Sequence, residues 1–148
     1  MKTKQIVLWM LALLLVVTAC GQAANAGPAA VLKVSGGEVE KSYTAADLEK
    51  LGAAKAAVKG VEYTGVLRSV LLADAGFDPG QVKEVVAESS DGFTAAYDPE
   101  LINREDTLVA YALVDGPMSA DDGSFRMVLP DQAGKLNPRQ VVEIKVTP

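Results

Sequence analysis

"VKEVVAESSDGFTAAYDPE", residues 82–100, reads as a strand, a tight turn, a second strand and the start of a helix. Val82–Ser89 is rich in β-branched residues, which suit a pleated surface. Ser90-Asp91-Gly92 supplies the turn: glycine takes left-handed backbone at no steric cost, and aspartate bonds nearby amides. "FTAAY" then returns along the first strand. Asp98 caps a helical turn that has Pro99 at its first position.

Working outward, "AVLKVSG" (30–36) is strand-like, Gly36-Gly37 is a turn, and "EVEKSY" pairs back on it. "TAADLEKLG" is a helix with Thr44 as N-cap, Asp47 completing a capping box and Gly52 at its end. "AAKAAVKGVEY" is ambiguous, with its second half extended. "TGVLRSVLLADAGF" reads as a second helix, with Val66, Leu67, Val70 and Leu71 on one face and Gly76 ending it. "TLVAYALVDG", "FRMVLP" and "VVEIKV" are strands. Six to eight short strands with two or three short helices make an α+β fold with a mixed or mostly antiparallel sheet.

Composition narrows the function. A chain of 148 residues fits one domain of ordinary size. Net charge is −5, and loss of Lys2 and Lys4 with a cleaved leader takes it to −7. Such a surface does not suit nucleic acid. There is no histidine and a single cysteine, Cys20. Zinc sites of Cys/His type, Ser-His-Asp and Cys-His catalysis and an intrachain disulfide framework are thereby excluded.

The first twenty residues, "MKTKQIVLWMLALLLVVTAC", carry two lysines and then the apolar run Ile6–Val17. As a helix that run spans about 18 Å, short of the roughly 30 Å hydrocarbon core, so it reads as a signal-peptide segment. "VTAC" followed by Gly21 resembles the bacterial lipobox. That resemblance implies a signal peptide over 1–19, acylation of the Cys20 thiol with palmitate-type chains and a flexible lipidated tether over 20–30. Trp9 belongs to the leader. The expected location is the cell envelope, anchored to a membrane by lipid and facing the extracytoplasmic side.

Four pieces occur in order: "YTGVLRSVLLADAGF", "VVAESSDGFTAAYDPE", "LVAYALVDGPMSADDGSFRMVLP" and "VVEIKV". Together they resemble the molybdopterin-binding domain of the sulfite oxidase family. The matching residues are Tyr63, Thr64 and Gly65, then Ser89, Asp91, Gly92 and Phe93, then Gly123, Arg126 and Pro130. The resemblance covers 31–148 and implies a compact sulfite oxidase-like fold. It also implies a molybdenum-ligating cysteine, and this chain has none beyond Cys20. The chain thus resembles a shortened form of the domain without the catalytic centre. Compact forms of this kind in periplasmic proteins bind plain pterins and signal to a partner.

A flat pterin needs a stacking face, a carboxylate for its amino and ring N–H groups, and a donor for its carbonyl. Five residues are candidates. Asp91 is either that carboxylate or only a turn residue. Phe93 stacks on the ligand or faces the core. Tyr63 walls a pocket or packs as a staple at the helix start. Arg68 pairs with an anionic or carbonyl group or lies on a solvated face. Strand alternation opposite Phe125 and Met127 sets Arg126 toward solvent, and if it faces inward it needs a partner. Asp121 and Asp122 in "SADDGS" lack EF-hand spacing and read as a solvated turn. No metal site is expected.

The leading expectation is a lipid-anchored, non-catalytic binding domain for a pterin-type molecule, acting with an envelope sensor or redox partner. One alternative is a molybdopterin-dependent oxidoreductase or its accessory subunit. The other is a purely structural envelope lipoprotein.

Overall fold

The computed structural model describes residues 29–148. The expected leader, Cys20 and nearly all of the expected tether lie outside these residues. Two sheets pack around one main core. The first has the order β2-β1-β9-β5-β6, from β1 (Leu32–Gly36), β2 (Val39–Tyr43), β5 (Glu84–Ser89), β6 (Thr94–Tyr97) and β9 (Val141–Thr147). The second has the order β3-β4-β7-β8, from β3 (Ala54–Val58), β4 (Val61–Leu67), β7 (Leu108–Leu113) and β8 (Arg126–Val128). Three short helices, α1 (Ala45–Leu51), α2 (Arg68–Ala75) and α3 (Pro99–Ile102), and a 3-10 turn over Gly134–Leu136 fill the connections. The result is the expected α+β fold, with the first sheet mixed, since β9 runs parallel to β1 and antiparallel to β5, and the second wholly antiparallel.

Local chemistry explains the elements. Thr44 Oγ1 accepts from the Asp47 amide at 3.2 Å, and the Asp47 carboxylate accepts from the Thr44 amide at 3.0 Å, closing the capping box. These bonds, with the Thr44 hydroxyl's own donation foremost, hold the Asp47 carboxyl down to about 2. Gly76 ends α2 in the left-handed conformation that glycine adopts without strain. Asp98 Oδ1 accepts from the Leu101 amide at 3.0 Å, with Pro99 beginning α3.

In the first sheet, Leu32, Val34, Val85, Ala87, Ile144 and Val146 alternate inward to the core. The opposite face carries a ladder of opposite charges, Lys33 with Glu143 at 2.9 Å and Lys145 with Glu88. In the second sheet, β8 and the first half of β7 are buried on both faces. Val66, Val109 and Met127 face the main core, while Tyr63, Leu108, Ala110 and Val128 form a second small cluster with Ala54, Ala56 and Val58. Its edge strands β3 and β8 approach each other, so the sheet curls around that cluster.

One element differs from expectation. Residues 61–67 are strand, and α2 begins only at Arg68. Val66 and Leu67 fit a helical period with Leu71, but β4 is claimed by ladders on both sides, to β3 and to β7. Gly65 shows why this strand is specific. A Cβ there would lie 2.4 Å from the Val109 carbonyl oxygen, beside a bulge between Thr64 and Gly65. Val70, expected on the apolar face, is exposed.

Candidate functional site

A cleft of about 460 Å³ opens where loops from both sheets converge. The β3–β4 turn, the β5–β6 turn, the segment around Asp121, β8 and the chain entering β9 each contribute side chains. Four of the five candidates, Tyr63, Asp91, Phe93 and Arg126, line it.

The floor is a buried ionic network. Arg126 is 3% exposed and donates from Nη1 to Asp122 Oδ1 at 2.6 Å and to the Tyr63 hydroxyl at 2.7 Å. Its guanidinium also lies 4.6 Å from the centre of the Tyr63 ring, within cation–π range. Asp122 receives the Tyr63 hydroxyl at 3.3 Å and the Ser119 hydroxyl at 2.8 Å. Arg139 Nε reaches the same carboxylate at 3.3 Å from a mostly exposed side chain. Burial pushes the Tyr63 hydroxyl above its ordinary value, partly opposed by the nearby Arg126 charge. Asn137 ties this floor to the strand behind it, its Oδ1 accepting from the Leu129 amide at 2.6 Å.

Two expectations are corrected here. Arg126 does not face solvent, because β8 is buried on both faces and alternation there does not separate water from core. Asp122 is not a solvated turn residue. It is the buried counter-charge that makes inward-facing Arg126 tolerable.

The mouth is built by the β5–β6 turn. Gly92 adopts φ 85°, and Asp91 Oδ1 accepts from the Phe93 amide at 2.9 Å. That bond occupies one carboxylate oxygen, while the side chain remains exposed at the cleft. Phe93 is 46% exposed, outside the core. Lys59 and Gln140 also border the cleft, both with left-handed backbone at φ 52° and 51°, a conformation costly for non-glycine residues.

Arg68, the fifth candidate, lies away from the cleft. It is wholly buried at the start of α2 and donates to the Leu101 carbonyl at 2.7 Å. It therefore lies neither on a solvated face nor at this cleft. Its Nε and Nη1 have no partner, and burial pulls its guanidinium down to about 10. Among the described residues no cluster of three or more carboxylates, cysteines or histidines is placed to hold a metal ion.

Fold and cleft together define a small two-sheet domain with a polar cleft. Residues 29–148 match the family described as oxidoreductase molybdopterin binding domain. The chain belongs to that family, whose fold is the sulfite oxidase-like one. Among solved structures, it is similar to the sulfane dehydrogenase SoxCD from Paracoccus pantotrophus, with a TM-score of 0.62 and 21% identity. That match covers 80% of this chain and 38% of the other, so the chain spans well under half the length of its structural relative. No curated protein matches.

The family name implies molybdopterin, and the donor set of this cleft does not fit its metal centre. The mouth offers amine, guanidinium, carboxylate, hydroxyl and amide groups from Lys59, Arg139, Asp91, Asp121, Ser89 and Gln140. The carboxylate, hydroxyl and amide oxygens are hard donors and the two cations offer no lone pair at all, while the thiolate that the family resemblance implies for molybdenum has no counterpart in residues 29–148, which contain no cysteine.

Proposed function

We propose that the cleft binds a pterin without metal, and that the domain is a non-catalytic sensor or accessory module. Phe93 carries this reading. An aromatic ring left 46% exposed, at the mouth of a polar cleft and beside a carboxylate with one uncommitted oxygen, has the makings of a stacking platform. Asp91 then takes the ring's amino and N–H donors. Arg126 is held by Asp122 and Tyr63, so it sets the floor and is not a direct ligand contact.

In this reading Cys20 carries lipid, and the domain faces the extracytoplasmic side on its tether. Occupancy of the cleft is passed to an envelope partner. Labelling with radioactive palmitate tests the anchor: label incorporated by the wild type and lost in Cys20→Ala supports it, and equal labelling of both refutes it.

Intrinsic pterin fluorescence gives the binding test. Saturable quenching is expected with the purified domain. Phe93→Ala and Asp91→Ala each weaken it by about tenfold, the order expected for one stacking contact or one charged hydrogen bond. Absence of saturable binding removes the pterin reading. Stoichiometric molybdenum in the purified protein overturns the non-catalytic one.

A further inference from the structure

Asp91 and Phe93 stand on the tip of the β5–β6 hairpin, so whatever holds that tip sets their place at the cleft. Two bonds lie inside it: the Gly92 amide donates to the Ser89 carbonyl at 3.0 Å, and the Phe93 amide to Asp91 Oδ1 at 2.9 Å. They shape the turn without tying it to anything else. Beyond the strand ladder, the bonds that leave the tip run, among the described residues, to Arg139 and Gln140. The Ser89 hydroxyl donates to the Arg139 carbonyl at 2.6 Å. The Ser90 amide donates to the Gln140 carbonyl at 2.9 Å, and the Ser90 hydroxyl to Gln140 Oε1 at 2.9 Å.

Gln140 is bonded on its other side as well. Its amide donates to the Asp122 carbonyl at 2.7 Å, and its Nε2 to the Asp121 carbonyl at 3.4 Å. A Cβ on Gly123 would lie 2.8 Å from Gln140 Cγ, so a glycine there lets the side chain lie against the loop. One residue thus joins the hairpin of the first sheet to the loop that carries Asp122, the counter-charge of Arg126. It does so at φ 51°, where glycine is unstrained and a side chain is costly. Both side-chain bonds are exposed, and exposed bonds add little to global stability. A glutamine held at a backbone cost, for bonds worth little to the fold, is placed for the cleft.

Resting on the pterin reading above, we propose that Gln140 is a positioning residue, which clamps the hairpin tip to the Asp121–Gly123 loop and presets Phe93 and Asp91 for the ring. Preorganisation of this kind lowers the ordering cost of binding. Gln140 borders the cleft, but both ends of its side-chain amide are committed, so it acts through the tip.

Two variants test this. Gln140→Gly removes the side chain and the backbone strain together. Ser90→Ala removes the partner hydroxyl, and Ser90 does not line the cleft, so its effect on binding reaches the ligand through the tip. Pterin affinity is expected to fall about fivefold in Ser90→Ala and about fivefold to tenfold in Gln140→Gly, the order expected for one or two neutral hydrogen bonds. The double variant is expected to match Gln140→Gly alone within about twofold, because both changes break the same clamp. The strain relieved in Gln140→Gly offsets the added freedom of the unfolded chain, so Tm is expected to stay within about 3 °C of wild type in all three variants. Unchanged affinity in Ser90→Ala, a double variant that shows the product of the single effects, or a Tm that falls in step with affinity each overturn the proposal. Amide hydrogen exchange in the ligand-free protein separates this outcome from failure of the pterin reading. The Ser90, Gly92 and Phe93 amides are expected to exchange about fivefold faster in each variant, with the β5–β9 ladder unchanged. If no pterin binds, the pterin reading fails and exchange alone decides: faster exchange confined to the tip keeps Gln140 as the clamp. Unchanged exchange at the tip removes the clamp whether or not pterin binds.

Discussion

Replacing Asp122 with alanine leaves the Arg126 guanidinium buried without its counter-charge. The two side chains are 8% and 4% exposed and 2.6 Å apart, so solvent makes up the lost carboxylate only in part. Breaking a buried pair from one side costs ~3–5 kcal/mol. Tyr63 and Ser119 lose their acceptor in the same step. Removing the charge as well, in Asp122→Ala with Arg126→Met, eliminates the stranded cation. The double variant is therefore expected to be less damaged than the sum of the single variants by ~2–3 kcal/mol, the upper range for residues in direct contact. Urea unfolding of all four proteins, with the slope checked for constancy, measures this coupling. A coupling below ~0.5 kcal/mol, the scatter of independent sites, would show that the network is solvated and the proposed cleft floor wrong.

Arg68→Met removes an uncompensated buried charge together with one hydrogen bond to Leu101. The depression from 12.5 to about 10 corresponds to ~3 kcal/mol, offset by ~2 kcal/mol for the lost charged bond, so urea unfolding is expected to show the variant as stable as wild type or slightly more so. A loss above ~2 kcal/mol would mean that the guanidinium is well solvated by buried water. Thr44→Ala removes the N-cap of α1 and is expected to cost ~1 kcal/mol in the same assay. Asp47 has a folded value near 2, below its unfolded one. Its contribution is therefore present above the unfolded value of about 4 and is lost as pH falls from there toward 2. Acid titration of Asp47→Asn should show a shallower loss in that window. Gly65→Ala drives a Cβ into the Val109 carbonyl and should lower stability by ~1–3 kcal/mol or more, read as a fall in Tm.

Much of this was legible in the residues because its causes are local. The Thr44–Asp47 box, the Asp98-Pro99 helix start and the Asp91-Gly92 hairpin each depend on side chains within three positions of one another. What escaped depends on distant partners. Val66, Leu67 and Leu71 satisfy a helical period, yet 61–67 is strand because β3 and β7 flank it. Arg126 reads as solvent-facing by alternation, and only the chain's return through Asp122 and Asn137 shows it buried. Phe93 was legible as apolar but not as exposed, since exposure follows from where the hairpin tip stands relative to the second sheet. Lys59 carried one usable signal, the Lys-Gly pair between two short runs. Arg139 carried none, because its neighbours in the cleft come from four other segments.

In the proposed function the pterin enters this cleft and no other surface. Titrating an isotopically labelled domain with pterin and following its backbone amide resonances tests it directly. Shifts are expected at Lys59, Ser89 to Phe93, Asp121, Arg139 and Gln140, with Arg68 and the apolar groove between Leu51 and Val70 unmoved. Shifts centred on that groove, or none at saturating pterin, would contradict it.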